Sequence, residues 1–549
     1  MKKIILLLFF VATNAIAQTT VSQTDKIAAW TKTWGFLKYF HPAVTHGTMD
    51  WDKVYINELD SLKNIDSKED LNQHFIDLIK NLNNKTDLQW NSKDGMYVDT
   101  ILESLNEPTI FTAELIQAMR DTGLHRISGK NRFLDFAKLG YPLFLEENTY
   151  EENYYPETPY RLLALARMWS AVEFFFPFKK ERITKGWSAV LKQQIPVFIN
   201  AKDTLDYYKA IGSTAFELND SHSTLVAHTK KFFPLGNKPF PTHFSFVEGK
   251  VVVDLRGKVR KETESEDTFE FGDVVLSIDG NPIEDLIKEY SLFISGSNKA
   301  SKNRWVLYHL LFGWDDFAEV EVLRNNQKKT LKVRRYAEPK FEVSQNKPTT
   351  WKLIDNNIGF INLRNTDAKA FGKALKKMKK TDAIILDYRY FAHNSIDIDF
   401  LADYFSTENK RFMHYAYISQ DIPGRFIESE SPSFLIGKKQ KAKYKGKLIF
   451  LINENAQSAG ETFVAAVKTF PNVTLVGRPT SGTNGEAPEI TLPGGFKFRM
   501  TSAMIHYLDG KPAVGDGIQP DIHIEPTVEG LKNRKDEILE KAIEFAKNI

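Results

Sequence analysis

The chain of 549 residues contains no cysteine. That excludes a disulfide framework, a thiol nucleophile, a cysteine-ligated zinc and an acylated cysteine. It also lacks an excess of one charge. Its 73 Lys and Arg face 70 Asp and Glu, a net +3, and no strongly basic block occurs. Nucleic acid and anionic membranes are therefore not expected as its main partners. Beyond the first residues no apolar run is long enough to span a bilayer. The 12 histidines are scattered and none stands in a His-Glu-x-x-His pattern, so neither a catalytic metal nor another cofactor is expected. No pair of facing carboxylates stands out, which argues against glycoside hydrolysis.

What is present begins at the N-terminus. Lys2 and Lys3 precede the apolar stretch Ile4 to Val11, and Ala15-Ile16-Ala17 is a small-x-small cleavage site. In that order they read as a signal peptide over residues 1–17, which predicts an exported protein, periplasmic or extracellular. The length predicts about three or four domains. The oligomeric state is not legible.

Residues 18–110 and 156–235 read as two degenerate copies of one helical unit, joined by a segment over 111–155. Trp34-Gly35-Phe36-Leu37-Lys38-Tyr39-Phe40-His41-Pro42 resembles Trp169-Ser170-Ala171-Val172-Glu173-Phe174-Phe175-Phe176-Pro177, 135 residues later. Trp51 matches Trp187 at an offset of 136, and at that offset Leu82-Asn83-Asn84-Lys85-Thr86 falls opposite Leu218-Asn219-Asp220-Ser221-His222. Only the second copy has the histidine. Glu146 to Glu157 reads as an acidic surface loop. From about 236 to 338 the pattern turns to strands, and Gly272-Asp273-Val274-Val275-Leu276-Ser277-Ile278-Asp279-Gly280 resembles the strand and Asp-Gly turn of a PDZ domain, a fold that binds peptides by adding them to a sheet edge. From about 350 to 526 strands alternate with helices, which predicts a mostly parallel sheet. A charged helix is predicted over 527–549.

Two distant stretches carry the chemistry. Asn455-Ala456-Gln457-Ser458-Ala459-Gly460-Glu461 follows the apolar strand Leu448 to Ile452, at the carboxyl end where such sheets place their sites. A hydroxyl there needs a base within hydrogen-bond reach, and Asp220-Ser221-His222 supplies a histidine. Read without that partnership, Ser458 is a serine capping the next helix, Asp220 and Ser221 are turn residues and His222 is a core histidine.

Six segments in order resemble the C-terminal processing peptidase, or tail-specific protease, family: the PDZ-like turn, Ile358-Gly359-Phe360, Asp387-Tyr388-Arg389, Ser458-Ala459-Gly460-Glu461, Val476-Gly477-Arg478-Pro479-Thr480 and Gly517-Ile518-Gln519-Pro520-Asp521. The resemblance implies a multidomain α/β protein with N-terminal helical repeats, a PDZ-like β domain and an α/β core of the ClpP/crotonase-like kind. It implies an exported serine endopeptidase that cleaves peptides or protein C-terminal regions through an acyl-enzyme. A catalytically inactive peptide-binding homologue is the alternative. Many members use a lysine base in Thr-x-Gly-Lys-Gly. Here that segment is Thr480-Ser481-Gly482-Thr483-Asn484, with Thr483 in the lysine's place. The branch resembling tricorn protease and the nisin-resistance peptidase uses a histidine instead, and Ser221-His222 matches it. The resemblance thus implies Ser458 as nucleophile, His222 as base, Ser221 or Asp516 as the orienting residue, and backbone N–H groups of Ala459 and His393 as the oxyanion hole. Where the family has two glycines, this chain has His393 and Asn394.

Overall fold

The computed structural model describes residues 20–549 apart from 84–94, 127–130, 151–153, 224, 228–234, 257, 260–267, 337–340, 343–349, 390–395 and 441–442. The expected signal peptide, and the expected oxyanion residue His393, lie outside the described residues. Among the described residues no helix is long and apolar enough to cross a membrane. The chain divides into two compact units, Met1–Arg126 and Ile127–Ile549.

The first unit is helical. Helices α1 (Gln23–Phe40), α2 (Pro42–Thr45), α3 (Trp51–Ser61) and α4 (Lys68–Asn83) are followed by α5 (Gly95–Leu105) and α6 (Ala113–Leu124). The core of this hairpin is aromatic. The Trp34 indole N–H donates to the Trp51 carbonyl at 2.9 Å and the Trp51 indole returns the bond to Trp34 at 3.3 Å. Burying the indoles requires such partners, because an unpaired N–H in an apolar core is costly.

The second unit opens with the same design. Helices α7 (Thr158–Phe175), α8 (Lys179–Arg182), α9 (Trp187–Asn200) and α10 (Thr204–Phe216) follow in order. Trp169 and Trp187 exchange indole-to-carbonyl bonds at 3.3 and 2.9 Å. Part of the expected acidic surface loop turns inward. Glu147 is buried, ion-paired to Arg167 at 2.6 Å, because the Arg167 guanidinium has no exposure of its own and needs a counter-charge.

The PDZ-like region forms an antiparallel sheet of β2 (Thr242–Val247), β3 (Lys250–Arg256), β4 (Val274–Ile278), β5 (Phe317–Arg324) and β6 (Gln327–Arg334), with β1 reserved for the strand Leu225–Ala227. The sheet order is β6-β5-β4-β3-β2, so β2 is an edge. Glu248 and Gly249 both take positive φ, 50° and 76°, which closes the β2–β3 hairpin with the twist a two-residue turn requires. Two helices, α11 (Ile283–Tyr290) and α12 (Lys299–Leu310), sit within the segment, and α12 packs against β2.

The core sheet has six strands: β7 (Trp351–Ile354), β8 (Ile358–Asn362), β9 (Ala383–Asp387), β11 (Lys447–Ile452), β12 (Val473–Gly477) and β16 (Ile522–His523), the numbers β10 and β13 to β15 belonging to Met413–Ile418, Glu489–Leu492, Phe496–Arg499 and Met504–Tyr507. The first pair is antiparallel and the rest parallel. Both faces are covered, as parallel sheets demand. Helices α13 (Ala368–Met378), α14 (Ile398–Phe405) and α15 (Ala459–Val467) pack on Ile384, Leu386, Leu448 and Phe450. After α16 (Val528–Lys532), α17 (Glu537–Lys547) packs Ile538, Ala542 and Ala546 on Ile385, Ile449 and Leu451. The single terminal helix expected over 527–549 is thus two. Arg534 takes φ of 56°, which breaks the first, and the Asp536 side chain caps the second.

Candidate active site

Strand β11 ends at Ile452, and the chain turns sharply before α15 begins at Ala459. Ser458 stands at that turn with φ 55° and ψ −119°, a region that non-glycine residues rarely occupy. The strain lifts the side chain out of both the strand and the helix. Ser458 occupies the capping position, yet its side chain makes no capping hydrogen bond. The capping role that a serine at this place could serve is therefore not realised. Its backbone N–H donates to the Thr483 carbonyl at 3.0 Å and its carbonyl accepts from Glu461 and Thr462. In the first turn of α15, Gly460 N–H is taken by the Gln457 carbonyl and Glu461 N–H by that of Ser458. Ala459 N–H, at the first helical position, has no acceptor within the helix.

His222 lies on the loop after α10, and the strand β1 that follows joins the core. Leu225, Val226 and Ala227 pair with Phe498, Lys497 and Phe496 of β14. Asp220 fixes the loop to the core as well. Its carboxylate accepts from the Thr501 N–H at 2.7 Å, the Thr501 hydroxyl at 3.1 Å, the Thr483 hydroxyl at 2.5 Å and the His222 N–H at 3.0 Å. His222 Nδ1 lies 2.9 Å from Thr501 Oγ1 and 3.1 Å from Thr483 Oγ1.

A proton count selects one arrangement of the imidazole. Each threonine hydroxyl has one hydrogen, and the Asp220 carboxylate is within reach of both. With both hydrogens on Asp220 the two oxygens accept, Nδ1 carries the proton and the lone pair belongs to Nε2. Burial lowers the His222 pKa. Asp220 opposes the shift and the Arg499 charge adds to it.

Ser458 and His222 line one cavity of about 700 Å³, together with Ala459. Ser458 and Ala459 also line a second cavity of about 1470 Å³ whose walls include β2 and α12. Glu461, fully buried, ties the site together from behind. Its carboxyl accepts from the Thr480 hydroxyl at 2.5 Å and from Gly482 and Thr483 N–H at 2.9 and 2.7 Å. Burial pushes this carboxyl up to about 7 despite those bonds.

The two residues expected to orient the histidine are placed otherwise. Ser221 Oγ is 2.8 Å from Ser301 Oγ, donates to the Ser481 carbonyl at 3.2 Å and accepts from Ser297 N–H at 2.8 Å. It knits the loop to the segment before α12. Asp516 is exposed, and its carbonyl accepts from Asn298 and Gln519 side chains. The carboxylate wired to His222 is Asp220, which sequence reasoning weighed only as a turn residue. Arg389 pairs with Asp387 at 2.8 Å and with Asp536 at 2.7 Å, a structural clamp between β9 and α17.

Comparison with known proteins finds likenesses for two regions of the chain. Residues 237–358 match the PDZ domain model and residues 357–524 match the model of peptidase family S41. The core over residues 357–524 is thus that of peptidase family S41, and a PDZ domain precedes it. That match makes the chain a serine-type peptidase, a hydrolase whose substrates are peptides or proteins. No curated protein matches it. Among solved structures, mature CPAF complexed with lactacystin superposes with a TM-score of 0.56 at 12% identity, over 71% of this chain and 99% of that one. The photosystem II D1 C-terminal processing protease gives 0.38 at 16% identity, over 68% and 97%. Tricorn protease gives 0.36 at 15% identity, over 71% and 37%. At 12% identity the likeness to CPAF is one of fold.

Proposed function

We propose that the protein is an exported serine endopeptidase in which Ser458 attacks the scissile carbonyl and His222 acts as base. Supporting this reading above all is the hydrogen-bond balance around Asp220, Thr483 and Thr501. It leaves the His222 lone pair on Nε2, in a cavity that also holds a strained serine hydroxyl. Thr483 stands where the lysine of other members would be, and serves instead as a link between Asp220 and the imidazole.

In the reaction, Ser458 Oγ bonds to the carbonyl carbon as its proton passes to His222 Nε2. Ala459 N–H donates to the oxyanion, where developing charge is the largest target for catalysis. The intermediate collapses, the carbon–nitrogen bond breaks and His222 returns the proton to the departing amine. Water, deprotonated by the same imidazole, then hydrolyses the ester. Asp220 holds the ring through the two hydroxyls and does not itself take the proton.

The larger cavity supports docking of a substrate C-terminal region. Its wall includes the edge strand β2 beside α12, and it reaches Ser458. An extended peptide added to that edge would gain backbone hydrogen bonds whatever its sequence. The test is Ser458→Ala. Peptide cleavage and labelling by a fluorophosphonate should both vanish while the fold is kept, and full activity in the variant would refute the assignment.

A further inference from the structure

The smaller cavity has a character of its own. Its walls include Leu139, Trp305, Phe412, Met413, Tyr415 and Phe434, and the Tyr415 and Phe434 rings stack at 4.7 Å. Its two charged side chains besides His222 are already engaged. Arg499 bonds to Glu489, with Nε at 2.9 Å, and Glu486 accepts the Tyr415 hydroxyl at 2.9 Å. Thr462 donates to Asn484 at 2.9 Å, and apart from these polar groups, Ser221, Ser433 and Gln457 the wall is apolar and largely aromatic beside Ser458, of the kind that recognises a side chain by burying it.

The two cavities divide the substrate. They share Trp305, Gln457, Ser458 and Ala459, so the reacting bond lies at their junction. The larger one is lined by the edge strand β2, where, on the docking proposed above, the C-terminal part of a peptide lies and from which it departs after cleavage. The acyl part is left on the other side. We propose that the smaller cavity receives the side chain of the residue whose carbonyl is attacked, and selects a large apolar or aromatic one. This rests on Ser458 being the nucleophile and adds the substrate class that its site accepts.

The closing experiment uses the mature chain and a peptide library with free C-termini, varied at both positions flanking the cleaved bond. Bonds following Phe, Tyr, Leu or Met should be cut roughly 10- to 100-fold faster than those following Ala, Asp or Glu, the range one well-filled apolar pocket supplies. Leu139 gives the second arm. It lines the cavity but is 48% exposed, so its replacement does not disturb packing. Leu139→Arg should lower cutting after Phe and raise cutting after Glu by about tenfold each. Fluorophosphonate labelling at Ser458 is recorded alongside. If the wild-type protein is labelled and cleaves, but shows no preference on the acyl side or an unchanged preference in Leu139→Arg, the pocket assignment is wrong. If it is neither labelled nor active, the fault lies with the nucleophile and the pocket assignment falls with it.

Discussion

The two helical copies share a scaffold and differ in one loop. In each, a helix of 18 residues leads through a short one to a third opened by tryptophan, and the two tryptophans exchange indole-to-carbonyl bonds. In each, a fourth helix starts with a capping side chain at the same offset, Ser67 bonding Asp70 N–H and Asp203 bonding Asp206 N–H. A buried cation recurs too, Lys32 with Glu107 and Arg167 with Glu147. Only the second copy ends in Asp220-Ser221-His222. The equivalent Asn84-Lys85-Thr86 lies outside the described residues, and its residue types cannot supply the carboxylate or the imidazole. Folding and the proposed chemistry are thus written in separate parts of the repeat: tryptophans, caps and buried ion pairs make the hairpin, and the loop after it carries the proposed base.

The largest expected effect breaks this comparison outright. His222→Ala should lower kcat/KM by about 10⁴-fold or more, since members of such a unit are not additive. A mild loss would move the base elsewhere in the chain. Asp220→Asn should come next, at roughly 10² to 10⁴-fold, because the amide can donate to the threonine oxygens and turn their protons toward Nδ1, leaving the wrong tautomer. If Asp220 merely held the loop, the variant would lose thermal stability without a change in the pH profile.

Trp34→Phe and Trp169→Phe sharpen the comparison. Each leaves a buried carbonyl without its indole donor and should cost about 1–3 kcal/mol. Both should lower Tm, but only Trp169→Phe should slow fluorophosphonate labelling, by a few fold. Equal slowing would show that the first copy supports the site as well. The smallest effect is in pH. Burial depresses the His222 pKa, so the imidazole stays neutral and basic below its ordinary value of about 6.5 and is lost only as pH falls through the depressed value. The acid limb of kcat/KM should therefore have its midpoint below 6.5. A limb that rises only above about 9 would signal a lysine base instead.

Much of this was legible in the sequence. The buried strand before Ser458, the Asp-Gly turn at Asp279 and Gly280 with φ of 50° and 77°, and the tryptophan spacing are local patterns, and local patterns survive reading one residue after another. The wiring of the histidine was not. Asp220 meets Thr483 and Thr501, 263 and 281 residues away, and nothing near any of the three announces the meeting. Ser221 was favoured for adjacency to the histidine, but its hydroxyl is drawn toward Ser301 and the Ser481 carbonyl. Asp516 was favoured as the nearest carboxylate to a motif position, and exposure keeps it in water.

The pairing of Leu225–Ala227 with Phe496–Phe498 has a consequence for dissection of the molecule. A fragment beginning at the PDZ domain would keep its serine and its own hydrophobic interior, and it would be missing one strand of a small sheet. The backbone of Phe496–Arg499 would then present unmet hydrogen-bonding groups to solvent, an invitation to self-association that native proteins take care to cover. Such a fragment would be inert and sticky for the same reason. Its remedy would be equally specific: a supplied segment containing residues 156–235 could return the missing strand and His222, the proposed base, in one act of complementation.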